Sequence, residues 1–489
     1  MLYKKKNTRP GFVPLTIVCF LIVMVGGRFL WESALVSELS SNGLSASSRM
    51  INSIFAAVIT AMSLIITLAS NLYTPGLVKI FVRHPVVIVG LSYIVGTNFV
   101  LILASLFSQD NEYYMLVTHV AVVLACIAVA GVIPFLYYVS QFLRPSYFLP
   151  ILFQSVSNSH QDLVNGYDSQ KNYRRTFDTI DTIANISLTA SKRDDRQLMS
   201  LVSDVLHKCF MTILESPRDI KWRKDFFRSK PGYSEEVKRF FSANSAWPEA
   251  YVFTVFSNIL KSVSSHQNEV INETCENLLI SLEKSVKDNL KLVAEMHIMF
   301  FNRMNEVAIE NRDYERIQSL SQFFIAATKI VKDDKDLLEL SFVSWFHYAR
   351  DTYEKDIHFG YETYLYDSGN LILDFAQQSE ESSCRIFNSY VKSFWHDSIA
   401  DTGKHEMVAY KVALKTYWET KSLGLDTISK LIQEEFLTND SHHRLILKEI
   451  LKYKSPLHWS FSDRVLRFNY LPTSARKSAK KYVEVVDNA

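Results

Sequence analysis

Eight polar residues between positions 49 and 71 recur at intervals that place them on one side of a helix. At about 100° per residue they share one face, while the rest of the stretch is apolar. This polar stripe consists of Arg49, Asn52, Ser53, Thr60, Ser63, Thr67, Ser70 and Asn71. Hydrocarbon offers no partner to hydroxyl and amide groups. A membrane helix with this pattern must therefore turn the stripe towards protein or water.

Two interpretations of the polar stripe follow from its chemistry. Small residues and hydroxyls allow membrane helices to pack closely and to hydrogen-bond to each other. Alternatively, one such helix from each subunit of an oligomer lines a water-filled path. The stripe has no carboxylate, Arg49 lies at one end, and Lys79 and Arg83 form a basic segment beyond the other end. A path lined in this way would favour anions.

Two further groups carry charge near a membrane. His119 is an ionisable residue inside an apolar stretch, which makes it a functional candidate, although a solvated histidine near the interface is the plainer interpretation. Basic and aromatic residues interleave in 221–230, a pattern that suits anionic lipid or an amphipathic loop packed on the protein. Its candidate lipid contacts are Lys221, Trp222, Arg223, Lys224, Arg228 and Lys230.

The sequence lacks the common motifs for catalysis and metal binding. There is no phosphate-binding glycine loop, no GxSxG and no HExxH. His442 and His443 are adjacent, so on a helix they point about 100° apart, and Glu449 lies two turns further on. We therefore expect no catalytic residues, no metal site and no cofactor.

Four apolar stretches are long enough to cross a bilayer, which takes about 20 residues. They are 12–30, 51–72, 86–107 and 113–142, within a predicted membrane domain 1–145. Lysine and arginine cluster before the first stretch, between the second and third, and after the fourth. The positive-inside rule then places both termini in the cytoplasm. Five scattered cysteines agree with a reducing compartment.

The remainder of the chain is predicted to be helical. Only four glycines and no proline occur between Pro248 and Pro456, and apolar periods of 16–22 residues follow one another with short polar joins. Stacked helix pairs would give an α-solenoid-like domain. The predicted divisions are a helix pair and an irregular connector (146–248), a helical domain (249–470) and a flexible basic tail (471–489).

Residues 45–210 resemble a family of predicted bacterial membrane proteins, domain of unknown function 2254. The similarity lies in the run from Ser63 to Asn71, the turn Tyr73-Thr74-Pro75, the basic segment Lys79–Arg83 and the pair Gly96-Thr97. The family usually has arginine directly after the turn proline, where this chain has Gly76, and a proline-rich turn where this chain has 191–195. The resemblance implies a bacterial inner-membrane protein and supplies no activity.

Together these patterns predict an all-α protein with a four-helix transmembrane bundle and a large helical cytoplasmic domain. The first hypothesis is a homo-oligomeric channel or transporter, whose anion-leaning path is lined by the second span and assembled or gated by the cytoplasmic helices. The alternative is a membrane-anchored scaffold or sensor whose helical domain binds a protein partner. Expected partners are lipids, further copies of the chain and an inorganic anion or small solute. Residues 145–489 carry 44 basic and 47 acidic side chains, so no nucleic acid is expected.

Overall fold

The computed structural model describes residues 42–82, 84–106, 114–167, 169–218, 234–263, 267–400, 405–437, 440–455 and 469–487. Throughout these ranges the regular structure is helical, which confirms the all-α class for this part of the chain. The first seven helices are α1 (Asn42–Leu72), α2 (Pro75–Val82), α3 (Pro85–Leu106), α4 (Tyr114–Gln141), α5 (Pro145–Val164), α6 (Ser169–Lys192) and α7 (Arg196–Leu214).

The next thirteen helices are shorter on average and lie outside the apolar part of the sequence. They are α8 (Glu235–Ala243), α9 (Trp247–Ser262), α10 (Asn268–Lys287), α11 (Lys291–Glu310), α12 (Tyr314–Ile330), α13 (Lys335–Glu354), α14 (His358–Gln378), α15 (Glu380–Ile386), α16 (Lys392–Ala400), α17 (Glu406–Ser422), α18 (Asp426–Phe436), α19 (Asp440–Leu451) and α20 (Thr473–Asp487). A π-helical turn, Phe387–Val391, joins α15 to α16.

Three of the described helices are long and apolar enough to cross a membrane. Their spanning segments are Leu44–Leu72, Pro85–Leu106 and Val117–Gln141. They correspond to the second, third and fourth predicted stretches. The first predicted stretch, 12–30, lies outside the described residues. The described part of the chain thus supports a membrane-spanning protein with three candidate spans.

Small residues let α1, α3 and α4 pack closely. Ala121, Ala125 and Ala128 of α4 are buried with Leu101 and Ala104 of α3, so the alanine face of α4 is a packing surface. Further along, the ring of Phe135 occupies the space beside Gly90, where an added Cβ would lie 2.5 Å from a ring carbon. The three helices therefore form one bundle.

The chain divides into two compact units between Val205 and Leu206, within α7. This division does not coincide with the predicted boundaries at 145 and 248. The reason is that α5 packs along the length of α6, and both helices belong to the same unit as the spans. A turn at 193–195 separates α6 from α7.

The second unit repeats one packing arrangement. Alternate helices lie side by side: α9 with α11, α11 with α13, α10 with α12, and α12 with α14. Side-chain hydrogen bonds join residues 45 to 47 positions apart, such as Lys291 to Asp336 (45), Ser321 to Asp367 (46) and Asn268 to Glu315 (47). Two helices of about this combined length form the unit of stacked helix-pair proteins.

The C-terminal segment differs from its prediction. Residues 473–487 form the helix α20 instead of a flexible basic tail. Ala475, Ala479 and Val483 recur every four residues and are buried against the core that includes α17. Arg476 donates hydrogen bonds to the carbonyl oxygens of Leu451 and Tyr453. This single apolar face, on a helix that is otherwise rich in lysine, is sufficient to dock the helix.

Candidate functional site

The polar stripe lies on the side of α1 that faces away from the described bundle. Leu44, Ile51, Val58, Met62 and Ala69 are buried and form the opposite side of this helix. Seven of the eight stripe residues are exposed, and Ser70 is partly exposed. Apart from Asn52, which accepts a hydrogen bond from Asn98 of α3, packing against α3 and α4 therefore does not account for the stripe. Its partner must be something other than these two spans.

Three of the five hydroxyl groups of the stripe donate to the backbone of their own helix. Thr60 Oγ1 lies 2.9 Å from the carbonyl oxygen of Ala56, and Thr67 Oγ1 lies 2.9 Å from that of Ser63. Ser53 makes the same bond to the carbonyl of Arg49, at 3.0 Å. A hydroxyl that donates in this way offers only its lone pairs to the outside. The stripe thus accepts hydrogen bonds from water or from a partner more readily than it donates to an anion.

At the end nearest Asn42, the stripe touches the neighbouring span. The side-chain amide of Asn98 in α3 donates to Oδ1 of Asn52 at 2.7 Å. Arg49 is exposed and turns back along α1, where Nη2 donates to Ser45 Oγ at 3.0 Å. This end therefore combines a permanent positive charge with carboxamide groups on two helices.

The other end of the stripe adjoins the predicted basic segment. Lys79 lies in α2, whose Leu77 and Phe81 are buried, but its side chain is not among the described ones. Arg83 lies outside the described residues. The basic character of this end consequently remains a prediction from the sequence.

An aromatic cluster beside this segment was missed by sequence reasoning. The hydroxyl oxygen of Tyr138 lies 3.2 Å from Nδ1 of His84, and the ring of Phe142 packs on His84 with centroids 5.1 Å apart. Burial lowers the pKa of His84. Aromatic residues near the ends of spans are typical of the membrane interface, and this enrichment is the signal that could have located the cluster.

Of the remaining predicted site residues, the structure describes only His119. His119 is partly buried in the first turns of α4. The six candidate lipid contacts from Lys221 to Lys230 lie outside the described residues. Among the described residues, no group of three or more histidine, cysteine, aspartate or glutamate side chains could hold a metal ion.

One buried serine–histidine pair has the composition of a catalytic pair. Ser281 Oγ lies 2.7 Å from Nε2 of His297, and Nδ1 of the same ring lies 2.8 Å from the carbonyl oxygen of Val293. Both side chains are completely buried between helices of the second unit. A substrate would have no access to them, so the pair is part of the core packing.

The fold and the stripe define a class: a helical protein with three described helices that can span a membrane, one of them carrying an outward-facing polar stripe. Comparisons with protein-family models, with curated proteins and with solved structures found no match for this chain. The resemblance to domain of unknown function 2254 therefore stays a prediction from the residues that carry it.

Proposed function

We propose that this protein is a homo-oligomeric channel or transporter of the bacterial inner membrane, with both termini in the cytoplasm. Polar stripes from neighbouring copies face one another and line a water-filled path. The observation that carries this proposal is the outward orientation of the stripe on a helix whose apolar side is already packed. In hydrocarbon, the amide of Asn71 would lack a partner, whereas water or a second copy supplies one.

Charge at the two ends sets the expected ion preference. Arg49 lies at one end and the basic segment of Lys79 and Arg83 follows the other, while the stripe contains no carboxylate. Basic rings at the mouths of a path raise the local concentration of anions. Three of the hydroxyls between them donate to the backbone, so the preference arises mainly at the ends and small neutral solutes are also suitable substrates.

We infer that the helical body from α9 to α20 is an α-solenoid-like cytoplasmic domain that assembles or gates the path. Its support is the recurrence of contacts between residues 45 to 47 positions apart. Each helix pair of such a body contacts its neighbours, so a displacement at one end is passed along the stack.

The path is tested by the reaction of introduced cysteines with a charged, membrane-impermeant methanethiosulfonate. Ser63→Cys lies on the stripe, and Leu64→Cys is its matched control on the adjacent exposed apolar face. Both are made in a background in which Cys19 and Cys126 are serine. Only a hydrated thiol ionises readily. We expect Ser63→Cys to react at least about tenfold faster than Leu64→Cys, and its modification to change the ionic current.

Equal and slow reaction at the two positions would show that the stripe is dry and would refute the path. Fast reaction at Ser63→Cys without any change in current would show a hydrated crevice that does not conduct. Replacing Ser63 with aspartate gives an independent reading: the ratio of anion to cation current should fall, because a carboxylate enters the lining.

A scaffold that binds a protein partner is the second candidate, and the repeated helix pairs of the body favour it. Extended surfaces of stacked helix pairs are commonly used for protein binding. Met299 and Val343 are exposed at equivalent positions of α11 and α13. Under this alternative, any cellular phenotype that depends on the protein is lost in the double variant Met299→Asp, Val343→Asp. The same phenotype is retained in Ser63→Ala. The channel hypothesis predicts sensitivity to Ser63→Asp instead.

A further inference from the structure

The end of α1 that carries Ser70 and Asn71 is held by contacts from other elements of the first unit. The guanidinium Nη1 of Arg193, in the turn between α6 and α7, donates to the carbonyl oxygen of Leu72 at 3.0 Å. Next along the chain, the hydroxyl of Tyr73 donates to the carbonyl oxygen of Leu143 at 2.6 Å. The last residue of α1 and the one after it are thus tied to two different parts of the chain.

These bonds satisfy groups that a helix leaves without internal partners. The last carbonyls of an α-helix have no intrahelical donor, and they form the negative end of its dipole. A guanidinium supplies both a donor and a positive charge at this point. The ring of Tyr73 also packs on Phe148 of α5, with centroids 4.9 Å apart, and burial raises the pKa of Tyr73.

Gly76 brings the turn after α1 directly onto α6. A Cβ atom at this position would lie 2.9 Å from Oγ1 and 3.2 Å from Cγ2 of Thr182, which is closer than side chains normally approach. The Cβ of Thr182 itself would remain at an ordinary 3.6 Å. Glycine at this position therefore allows a close contact with α6, because an added Cβ would force either the turn or the side chain of Thr182 to shift.

We infer that the α6–α7 turn positions the end of the polar stripe that carries Ser70 and Asn71, called the inner end from here on. Arg193 is the positioning residue. The contact of Gly76 with Thr182 sets how closely the turn after α1 approaches α6. Ser70 and Asn71 lie within one helical turn of Leu72, so a shift of Leu72 rotates or tilts these two side chains. Residues at the far end, such as Ser53, are unaffected. The functional part of this inference rests on the proposed path; the contact itself does not.

The experiment compares thiol reaction rates at the two ends of the stripe in the full-length protein. Asn71→Cys reports the inner end and Ser53→Cys the far end, each combined with Arg193→Met. We expect the ratio of the two rates to change by about tenfold, since loss of a charge-assisted hydrogen bond frees the helix end. Arg193→Lys, which keeps a charged donor, should restore the ratio. Arg196→Met, an exposed arginine in the same region, should leave it unchanged.

A double substitution tests the contact of Gly76 with Thr182. Gly76→Ala should produce the same change in the ratio as Arg193→Met, whereas Thr182→Ala alone should not. In the double variant Gly76→Ala with Thr182→Ala, the obstructing Oγ1 and Cγ2 are gone, and the ratio should return to that of the original chain. A general loss of folding could not be reversed in this way.

Hydrogen exchange of residues 69–78 separates this inference from the proposed path. Faster exchange in Arg193→Met and Gly76→Ala, reversed in the double variant, supports the contact even if every stripe cysteine reacts slowly and the path is refuted. Unchanged exchange together with an unchanged rate ratio overturns the inference, whatever the conductance of the protein.

Discussion

Burial decides the protonation state of single side chains inside the second unit. His297 is completely buried, and the loss of hydration lowers its pKa to about 3. Its Nδ1 faces the carbonyl oxygen of Val293, which can only accept, so the proton of the neutral ring lies on Nδ1. Nε2 then carries a lone pair and lies 2.7 Å from Oγ of Ser281, whose hydroxyl is also within 2.9 Å of the carbonyl oxygen of Leu278. The sequence showed the histidine but not its surroundings.

This state makes the second unit sensitive to acid. An unfolded histidine takes up its proton near pH 6.5, whereas folded His297 does so only near pH 3. The contribution of neutral, buried His297 to the free energy of unfolding is complete above pH 6.5 and is lost as the pH falls towards 3. Over that window the free energy of unfolding should drop by up to about 1.4 kcal/mol per pH unit. His297→Leu should weaken this dependence in thermal unfolding at pH 7 and pH 5.

The exposed His347 offers the matched control, because His347→Leu removes a histidine that remains hydrated in the folded chain. Its unfolding midpoint should fall between pH 7 and pH 5 as much as that of the original protein. An identical acid response in His297→Leu would contradict a role for burial of this ring.

At the scale of elements, the same joint connects successive helices. A residue with positive φ follows the helix, as at Asn289 (φ 55°), Arg312 (φ 52°), Asp356 (φ 59°) and Gly424 (φ 74°). The amide of the next residue then donates to the carbonyl oxygen five residues back, as Asp313 does to Ala308 at 2.9 Å. Helix lengths were predictable from apolar periods. This common joint was not, because asparagine, arginine, aspartate and glycine share no obvious pattern.

Substitutions at two joints should act in opposite directions. Gly424→Ala places a Cβ in the left-handed region and should lower the free energy of unfolding by about 1 kcal/mol. Asn289→Gly removes such a strain and should be neutral or slightly stabilising. Chemical unfolding of the full chain measures both. Lys430→Ala, on an exposed face of α18, should change stability by less than about 0.5 kcal/mol. Equal losses in all three variants would contradict strain as the cause.

For the whole molecule, the decisive quantity is the number of copies that assemble. Three described spans cannot enclose a water-filled path by themselves, so the proposed function requires a closed ring. Native mass spectrometry of the full-length protein in lipid nanodiscs should show a defined oligomer of about three or more chains. A variant with Thr60→Leu, Ser63→Leu and Thr67→Leu should dissociate, because bulky side chains prevent close approach of the stripes.

A uniform monomer would refute a path between copies. The stripe would then be left to packing within one chain, and the predicted span 12–30 would be the segment long enough to cover it. A matching triple substitution on an apolar exposed face of α3, Val89→Leu, Val95→Leu and Phe99→Leu, should leave the oligomer intact, since it preserves a surface suited to lipid.

The amino-acid sequence by itself determined the helical class, the three described spans and the one-sided placement of polar residues on α1. These properties depend on the period of apolar residues along a single helix, which is a local quantity. Only the tertiary structure decided that the stripe points away from α3 and α4, that Arg193 reaches Leu72 and that helices pair at intervals of 45 to 47 residues. Such contacts join distant positions, and their geometry depends on packing that no local pattern records.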